Sequence, residues 1–133
     1  MFLNLLNIKE RMDFLELASI AMKVNGVIKE SEENVFNTYR METGLLDYEL
    51  KNKEYKYLIQ SFQASTKKIK KAIIIELAGV LDADENIDES EQKWIIELGK
   101  SWGFRDTEIK RMVRWTQDLN DLLNEGYSYI NSR

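Results

Sequence analysis

The residues best suited to chemistry lie in one acidic turn. Four carboxylates fall within ten residues of each other: Asp82, Asp84, Asp88 and Glu91. Carboxylate oxygens are the ligands that Ca²⁺ and Mg²⁺ prefer. Asp82, Asp84 and Glu85 also follow directly on an apolar run, so they crowd the negative end of the helix expected there, at a cost of about 0.3–1 kcal/mol for each anion. A bound cation would remove that conflict, and we therefore predict a divalent-cation site, Ca²⁺ or Mg²⁺, at these four residues.

A second interpretation of the same turn requires no ligand. Asp88 and Glu91 have the spacing of an acidic capping box, in which each side chain accepts from the backbone amide of the other residue. The turn also differs from a calcium-binding EF-hand loop, because Ile87 stands at the glycine position and Lys93 at the position of the bidentate glutamate. A cation site here would be rich in water and weak, with a Kd on the order of 10⁻⁴–10⁻³ M.

Composition limits the chemistry that the chain can perform. It contains no histidine and no cysteine, which excludes the usual zinc sites, imidazole acid–base catalysis and thiolate nucleophiles. A metal-dependent hydrolase that uses the same four carboxylates is a third hypothesis. Such enzymes usually draw their ligands from several helices, whereas these four are close together in the sequence, so we expect no enzymatic activity.

The charges are unevenly distributed along the chain. The net charge of −4 argues against a nucleic-acid partner, yet residues 51–71 carry seven lysines against one glutamate. This segment is either a solvated helix face or a patch for phosphate or anionic lipid. On the second interpretation the chain is a peripheral membrane or polyphosphate-binding protein, with an apolar anchor near its start. The residues concerned are Lys51, Lys53, Lys56, Lys67, Lys68, Lys70 and Lys71, with Phe2, Leu3, Leu5 and Leu6 as the anchor.

The first residues do not have the pattern of a targeting segment. The apolar stretch from Met1 to Leu6 ends at Lys9, Glu10 and Arg11, which is far too short to cross a membrane. We therefore expect a cytoplasmic protein, with membrane association only at the surface of the bilayer.

The pattern of apolar residues predicts an all-α protein. The chain has no proline, and 133 residues suit a single domain over 1–133. Apolar residues at helical spacing, bounded by caps and glycines, predict a bundle of about six to seven helices. The expected ranges are 7–24, 30–42, 47–50, 55–62, 65–81, 88–102 and a last helix from 106 that is interrupted at Gly126.

The chain also contains an internal repeat. With an offset of 59 residues, the sequence from Ile28 to Glu32 aligns with that from Ile87 to Glu91, and Gly44 aligns with Gly103. This agreement indicates a duplication whose halves are about 13–50 and 72–109. Because neither half could bury its apolar face alone, we predict that the two pack together about a pseudo-twofold axis.

The repeated motif resembles that of a known family. The sequence from Ala83 to Glu91, between an apolar helix and a glycine-stopped helix, is similar to the motif of the tellurite-resistance TerB-like (TerB or DjlA-type) helical domains, and residues 24–32 resemble a degenerate first copy. The resemblance implies a duplicated all-helical domain of bacterial or phage-related origin, linked to tellurite and other stress responses, whose acidic residues hold a divalent cation. Members also act near membranes or in conflict systems. The sequence departs from the motif at Glu85, where glycine is favoured, and at Val24, Asn25 and Lys29, where acids or alanine are expected.

These observations favour a non-enzymatic TerB-like module, active in a stress response or a conflict system, that binds a protein partner. Aromatic residues are the usual anchors of such contacts, and Trp94, Trp115 and Tyr127 are the candidates. If they are exposed together, they would form the partner surface.

Overall fold

The chain folds into helices that pack around a single hydrophobic cluster. The computed structural model describes residues 1–24, 26 and 30–132, with the side chains of 30–33 left aside. Within this part the secondary structure is one short 3-10 helix and six α-helices, without strands, which confirms the all-α prediction. A 3-10 helix spans Leu3–Leu5, and the helices are α1 (Ile8–Met22), α2 (Glu30–Thr43), α3 (Tyr55–Ser61), α4 (Lys67–Leu81), α5 (Glu89–Ser101) and α6 (Asp106–Asn131).

Two helices begin at capping boxes. Before α1, the Asn7 side chain accepts from the amide of Glu10 at 2.8 Å, and the Glu10 carboxylate accepts from the amide of Asn7 at 2.9 Å. Before α5, Asp88 and Glu91 exchange the same pair of bonds at 2.8 and 3.1 Å. The second box confirms the prediction made for Asp88 and Glu91, and the first starts α1 next to the predicted bound at residue 7.

The helix ends agree with the prediction at two glycines and differ at two other places. Gly44 and Gly103 have φ of 73° and 88°, a left-handed conformation that ends a helix at low cost. The predicted helix 47–50 is wrong, since these residues form a turn and an irregular stretch. The predicted interruption at Gly126 is also wrong, because α6 continues to Asn131. An isolated exposed glycine costs a helix only about 1 kcal/mol.

The core is built on α4, which packs against α1, α2, α5 and α6. Ile73, Ile74 and Leu77 of α4 are fully buried, as expected for a helix that is apolar on more than one face. Phe14 of α1 meets Tyr39 of α2 edge to face, with ring centroids 5.2 Å apart.

Helices α5 and α6 come very close together at one glycine. A Cβ atom on Gly99 would lie 2.5 Å from Cδ1 of Ile109, so any side chain at this position would force the buried Ile109 to shift. Within the predicted first copy of the acidic motif, residues 24–32, positions 25 and 27–29 lie outside the described residues, as do the side chains of 30–32. Among the helices that are described, none is long and apolar enough to cross a bilayer.

Candidate functional site

The acidic turn connects α4 to α5 and is bonded to α6. Asp82 caps the end of α4, and its side chain is only 5% exposed. Its Oδ2 accepts from Nδ2 of Asn120 at 2.8 Å. Glu85 accepts from Nδ2 of Asn124, one helical turn further along α6. Two asparagines four residues apart therefore hold the turn against α6, and their neutral amide groups donate to two of the carboxylates that crowd the end of α4.

Neither Asn120 nor Asn124 is among the site residues that the sequence predicts. One signal was present, because Asn120 lies in the stripe of α6 that contains Val113 and Thr116, where a core residue is expected. A polar residue at such a position indicates a buried polar partner. Nothing in the sequence says that this partner is Asp82.

The surroundings of Asp82 favour its neutral form. Burial raises the pKa of the Asp82 carboxyl above its ordinary value, and the negative charges of Asp121, Glu85 and Asp84 raise it further. The hydrogen bond from Asn120 acts in the opposite direction without cancelling the rise. Asp82 is therefore a buried acid whose charge is only partly compensated.

The four predicted cation ligands divide among three places. Asp82 turns towards α6, whereas Oδ1 of Asp84 accepts from the amide of Asn86 at 3.3 Å, within the turn. Asp88 and Glu91 form the capping box of α5. Across the described part of the chain, no three acidic, histidine or cysteine side chains are grouped closely enough to hold a metal ion. The divalent-cation site stays a prediction.

Glu85 adopts an unusual backbone conformation. Its φ is 63°, in the left-handed region that costs a residue with a side chain about 1–2 kcal/mol. The motif that the sequence resembles favours glycine at this position. The hydrogen bond to Asn124 helps to hold the glutamate there.

The lysines of residues 51–71 do not form one face. Nζ of Lys53 pairs with the buried Asp13 at 2.8 Å, and Nζ of Lys70 donates to the carbonyl of Gln63 at 3.1 Å. Lys67, Lys68 and Lys71 are exposed at the start of α4. The predicted membrane anchor is also smaller than expected. Leu3 and Leu6 are buried, so their inclusion in the anchor is wrong.

Two buried carboxylates on α1, which the sequence patterns did not predict, fix the connection between α2 and α3. Glu16 accepts from the Tyr48 hydroxyl at 2.6 Å and from the amides of Lys51 and Lys53 at 2.9 and 3.1 Å. Asp13 binds Lys53 and Ser61. The only signal in the sequence was the pair of acids among apolar residues of α1. Because their acceptors are occupied by these donors, we assign them a structural role.

A groove runs between α2, α4 and α6. Two adjoining cavities of about 320 and 340 Å³ form it, and we call them together the α6 groove. They share Val35, Tyr39, Gly79, Asn120 and Leu123. Gly79 allows Tyr39 to lie close to α4, since a Cβ there would be 3.0 Å from the Tyr39 hydroxyl. That hydroxyl donates to the carbonyl of Glu76 at 2.9 Å.

The apolar stripe of α6 continues past its packed half. Ile109 and Val113 are buried, whereas Leu123, Tyr127 and Ile130, further along the same stripe, are 49%, 61% and 78% exposed. Leu123 and Tyr127 line the groove. The second half of α6 therefore presents an apolar face that the described residues leave uncovered.

The three aromatic candidates have different surroundings. Trp94 is half-buried against Tyr55, with ring centroids 5.9 Å apart. Trp115 and Tyr127 are exposed and lie at opposite ends of the α6 groove. Two of the three predicted residues thus belong to one surface.

Comparisons with protein-family models, with curated proteins and with solved structures returned no match for this chain.

Proposed function

We infer that the chain is a non-enzymatic helical interaction module that binds a segment of a partner protein in the α6 groove. The observation that carries this proposal is the apolar stripe of α6, which continues in register from the core to Leu123, Tyr127 and Ile130 without being covered. Exposed apolar surface of this kind is typical of sites that bind another protein. Tyrosine and tryptophan, at the two ends of the groove, are frequent anchors of such contacts.

The charges around the groove favour one kind of partner. Glu42 and Glu76 lie at the end near Trp115, where the ammonium of Met1 pairs with both and leaves one net negative charge. Asp82 and Glu85 lie at the end near Tyr127, where burial disfavours the charge of Asp82. The floor between them is mainly apolar. A complementary segment would carry apolar side chains at helical spacing, flanked by lysine or arginine.

The proposal includes the internal duplication. Adding 59 to the bounds of α1, residues 8 and 22, gives 67 and 81, the bounds of α4. The stops after α2 and α5 also correspond, since the amide of Leu45 bonds to the carbonyl of Arg40 and the amide of Phe104 to that of Gly99. The packing of α1 against α4 is compatible with a pseudo-twofold axis. These correspondences support two related halves, which diverge after Gly44 and Gly103.

A TerB-like role in a stress response or a conflict system, with a weak divalent-cation site in the acidic turn, is the finer part of the proposal. The left-handed φ of Glu85, at the position where that motif favours glycine, supports the resemblance. Calorimetric titration of the chelator-treated protein with Ca²⁺, Mg²⁺ and Mn²⁺, beside Asp84→Asn, tests the cation site. We expect weak heats that vanish in the variant, and a flat wild-type titration would exclude the site.

The groove is tested by selecting peptides from a displayed random library against the wild-type protein. We expect enriched peptides with apolar residues at helical spacing and basic flanks. The double substitution Leu123→Asp with Tyr127→Asp should weaken the best peptide at least about 100-fold, because two anchors are lost.

A matched control uses two equally apolar positions elsewhere on α6. Leu122 and Tyr129 are 64% and 72% exposed but do not line the groove. Leu122→Asp with Tyr129→Asp should therefore leave binding unchanged, and equal losses in both double variants would reject the groove. A wild-type dimer in sedimentation velocity that is lost only in the groove variant would show a second copy as the occupant instead.

A further inference from the structure

A second surface, separate in chemistry from the acidic groove, lies where the first residues meet the start of α4. A shallow cleft of about 400 Å³ is lined there by Phe2, Leu5, Lys68, Lys71, Ala72 and Ile75. Its walls are mainly apolar, and the two lysines stand at its rim. The Phe2 ring packs on Trp115 of α6, with centroids 6.2 Å apart. We call these residues, with Trp115 and Lys67, the basic apolar face.

The apolar part of this face is accessible to solvent. Leu5 is 41% exposed and Trp115 is 45% exposed, so an aliphatic and an aromatic side chain lie next to each other at the surface. Their position is fixed, because Leu3 and Leu6 are buried in the core on either side of Leu5. The amide of Phe2 also donates to Glu76 at 2.6 Å. The apolar side chains are therefore held outward by a well-packed base.

The basic part consists of three lysines on one side of α4. Lys67, Lys68 and Lys71 fall within an arc of about 100° around the helix axis and are exposed. The first turn of α4 contains no acid, although the positive end of a helix favours acids and disfavours lysines. Two acids lie nearby: Glu108, whose pKa is lowered mainly by hydrogen bonds from Arg105 and to a smaller extent by Lys71, and Glu76, which accepts from Phe2 and pairs with the ammonium of Met1. The lysines thus outnumber the acids that the described residues place around them.

We propose that the basic apolar face docks on anionic lipid bilayers, with the lysines at the phosphate level and Phe2, Leu5 and Trp115 in the interface. The combination of exposed apolar side chains with lysines favours a lipid bilayer over other ligands. Aromatic and aliphatic side chains beside lysines are the groups that bind at the boundary between headgroups and acyl chains. A soluble polyanion would use the lysines but would leave the apolar cleft empty, and a neutral apolar partner would have to desolvate the lysines.

The proposal does not depend on the α6 groove, although Trp115 and Ile75 border both surfaces. The groove is acidic at its ends, whereas this face is basic. Peptide selection and vesicle binding can therefore succeed or fail independently, and variants of the lysines, which border only this face, separate the two.

The test is co-sedimentation of the whole chain with two kinds of vesicle, one of phosphatidylcholine alone and one of phosphatidylcholine with an equal amount of phosphatidylserine. We expect binding to the anionic vesicles at low ionic strength, loss of this binding in high salt, and little binding to the neutral vesicles. Lys68→Gln with Lys71→Gln should weaken binding about 25-fold, since each lysine near an anionic surface contributes about five-fold.

The matched control changes the net charge equally at another place. Lys51 and Lys56 are exposed but lie outside the cleft, so Lys51→Gln with Lys56→Gln should change binding less than about three-fold. Tryptophan emission gives a second readout. Anionic vesicles should shift it to shorter wavelength in the wild type, and Trp115→Phe should abolish the shift, because Trp102 is buried and Trp94 packs on Tyr55.

Several results would overturn the proposal. Equal binding to both kinds of vesicle would remove the role of the lysines, and equal losses in the two double-lysine variants would show only an effect of total charge. Binding to immobilised polyphosphate without binding to vesicles would identify a soluble polyanion as the ligand. An emission shift that persists in Trp115→Phe would place the contact elsewhere. Circular dichroism of each variant checks that it folds.

Discussion

Single buried acids show how this small helical domain combines polar groups with a hydrophobic core. Glu16 is 2% exposed. Burial alone would raise the pKa of its carboxyl, but hydrogen bonds from Tyr48 and from the amides of Lys51 and Lys53 outweigh that effect, and the pKa is lowered. The carboxylate is therefore more favourable in the folded chain than in the unfolded chain. Its bonds to the amides of Lys51 and Lys53 hold the backbone that directly follows residues 47–50, where a helix was expected.

The substitution Glu16→Ala should lower the free energy of unfolding by about 2–4 kcal/mol, because it leaves the Tyr48 hydroxyl and two amides without their acceptor. Urea unfolding measures the loss, with the exposed Glu97→Ala as control. Since the pKa is lowered from 4.5, the contribution of Glu16 is complete above pH 4.5 and is lost as the pH falls below it. The difference between wild type and variant should therefore narrow in acid, and a constant difference would contradict this assignment.

Asp82 should show the opposite dependence on pH. Its pKa is raised from 3.8, so the stability it contributes is present below pH 3.8 and is lost as the pH rises through its folded value. Asp82→Asn keeps an oxygen that can accept from Asn120 but carries no charge. We expect the variant to gain stability relative to wild type as the pH rises from below 3.8 towards neutrality.

Urea unfolding of Asp82→Asn across this range tests the sign, with the exposed Asp47→Asn as control. A variant that is less stable than wild type at neutral pH would mean that the charge itself holds the turn.

Residues whose bonding partners are close in the sequence were predicted, and residues whose partners are distant in the sequence were not. Asn7 with Glu10, and Asp88 with Glu91, form bonds over three residues, and their spacing alone predicts them. Asn120 reaches Asp82 over 38 residues, and no local pattern contains that pairing. The cation site was therefore predicted from the acids of the turn alone, because the donors that α6 brings to them are distant in the sequence.

At the scale of the elements, the contact between α5 and α6 depends on a missing side chain. Gly99→Ala should destabilise the protein by about 1–2 kcal/mol, because the clash with Ile109 exceeds the gain in helix propensity. The same change in an Ile109→Ala background should lose its penalty, and a double-mutant cycle from urea unfolding measures the coupling.

Gly126→Ala is the matched control, because a Cβ there meets nothing within 4 Å. It should stabilise α6 by about 0.5–1 kcal/mol through helix propensity alone. If Gly99→Ala were equally stabilising, α5 and α6 would not be as closely packed as described.

The type of each long element was predictable, but some ends were not. Apolar spacing predicts α1, α4 and α5 because these helices bury the faces that the pattern marks. Residues 47–50 follow a glycine and begin with a capping residue, as a short helix would, yet Glu16 binds the amides of Lys51 and Lys53 and holds the backbone there in an irregular path. Gly126 suggested an interruption, but nothing packs against it to bend the helix.

At the scale of the whole molecule, stability should be unevenly distributed. The fully buried residues concentrate in α1 and α4, whereas the last turns of α6 are exposed. Amide hydrogen exchange should therefore be slowest in α1 and α4 and fastest for residues 126–131 among the helices. Protection at the end of α6 equal to that of α4 would show that this segment is covered in solution, for example by a second copy of the chain.

Helices α4 and α6 run in the same direction along the molecule, so its two ends differ in charge. Ile75 bonds to Thr116, Asp82 bonds to Asn120, and α6 then runs on past the end of α4 to Asn131, about 10 Å beyond Asn124 at the helical rise. The lysines begin this axis and the acidic turn ends it. On an anionic bilayer, attraction at one end and repulsion at the other would act as a torque that stands α4 upright. The end of α6 would then point into the water, and a partner segment would reach the Tyr127 end of the α6 groove from the side away from the lipid.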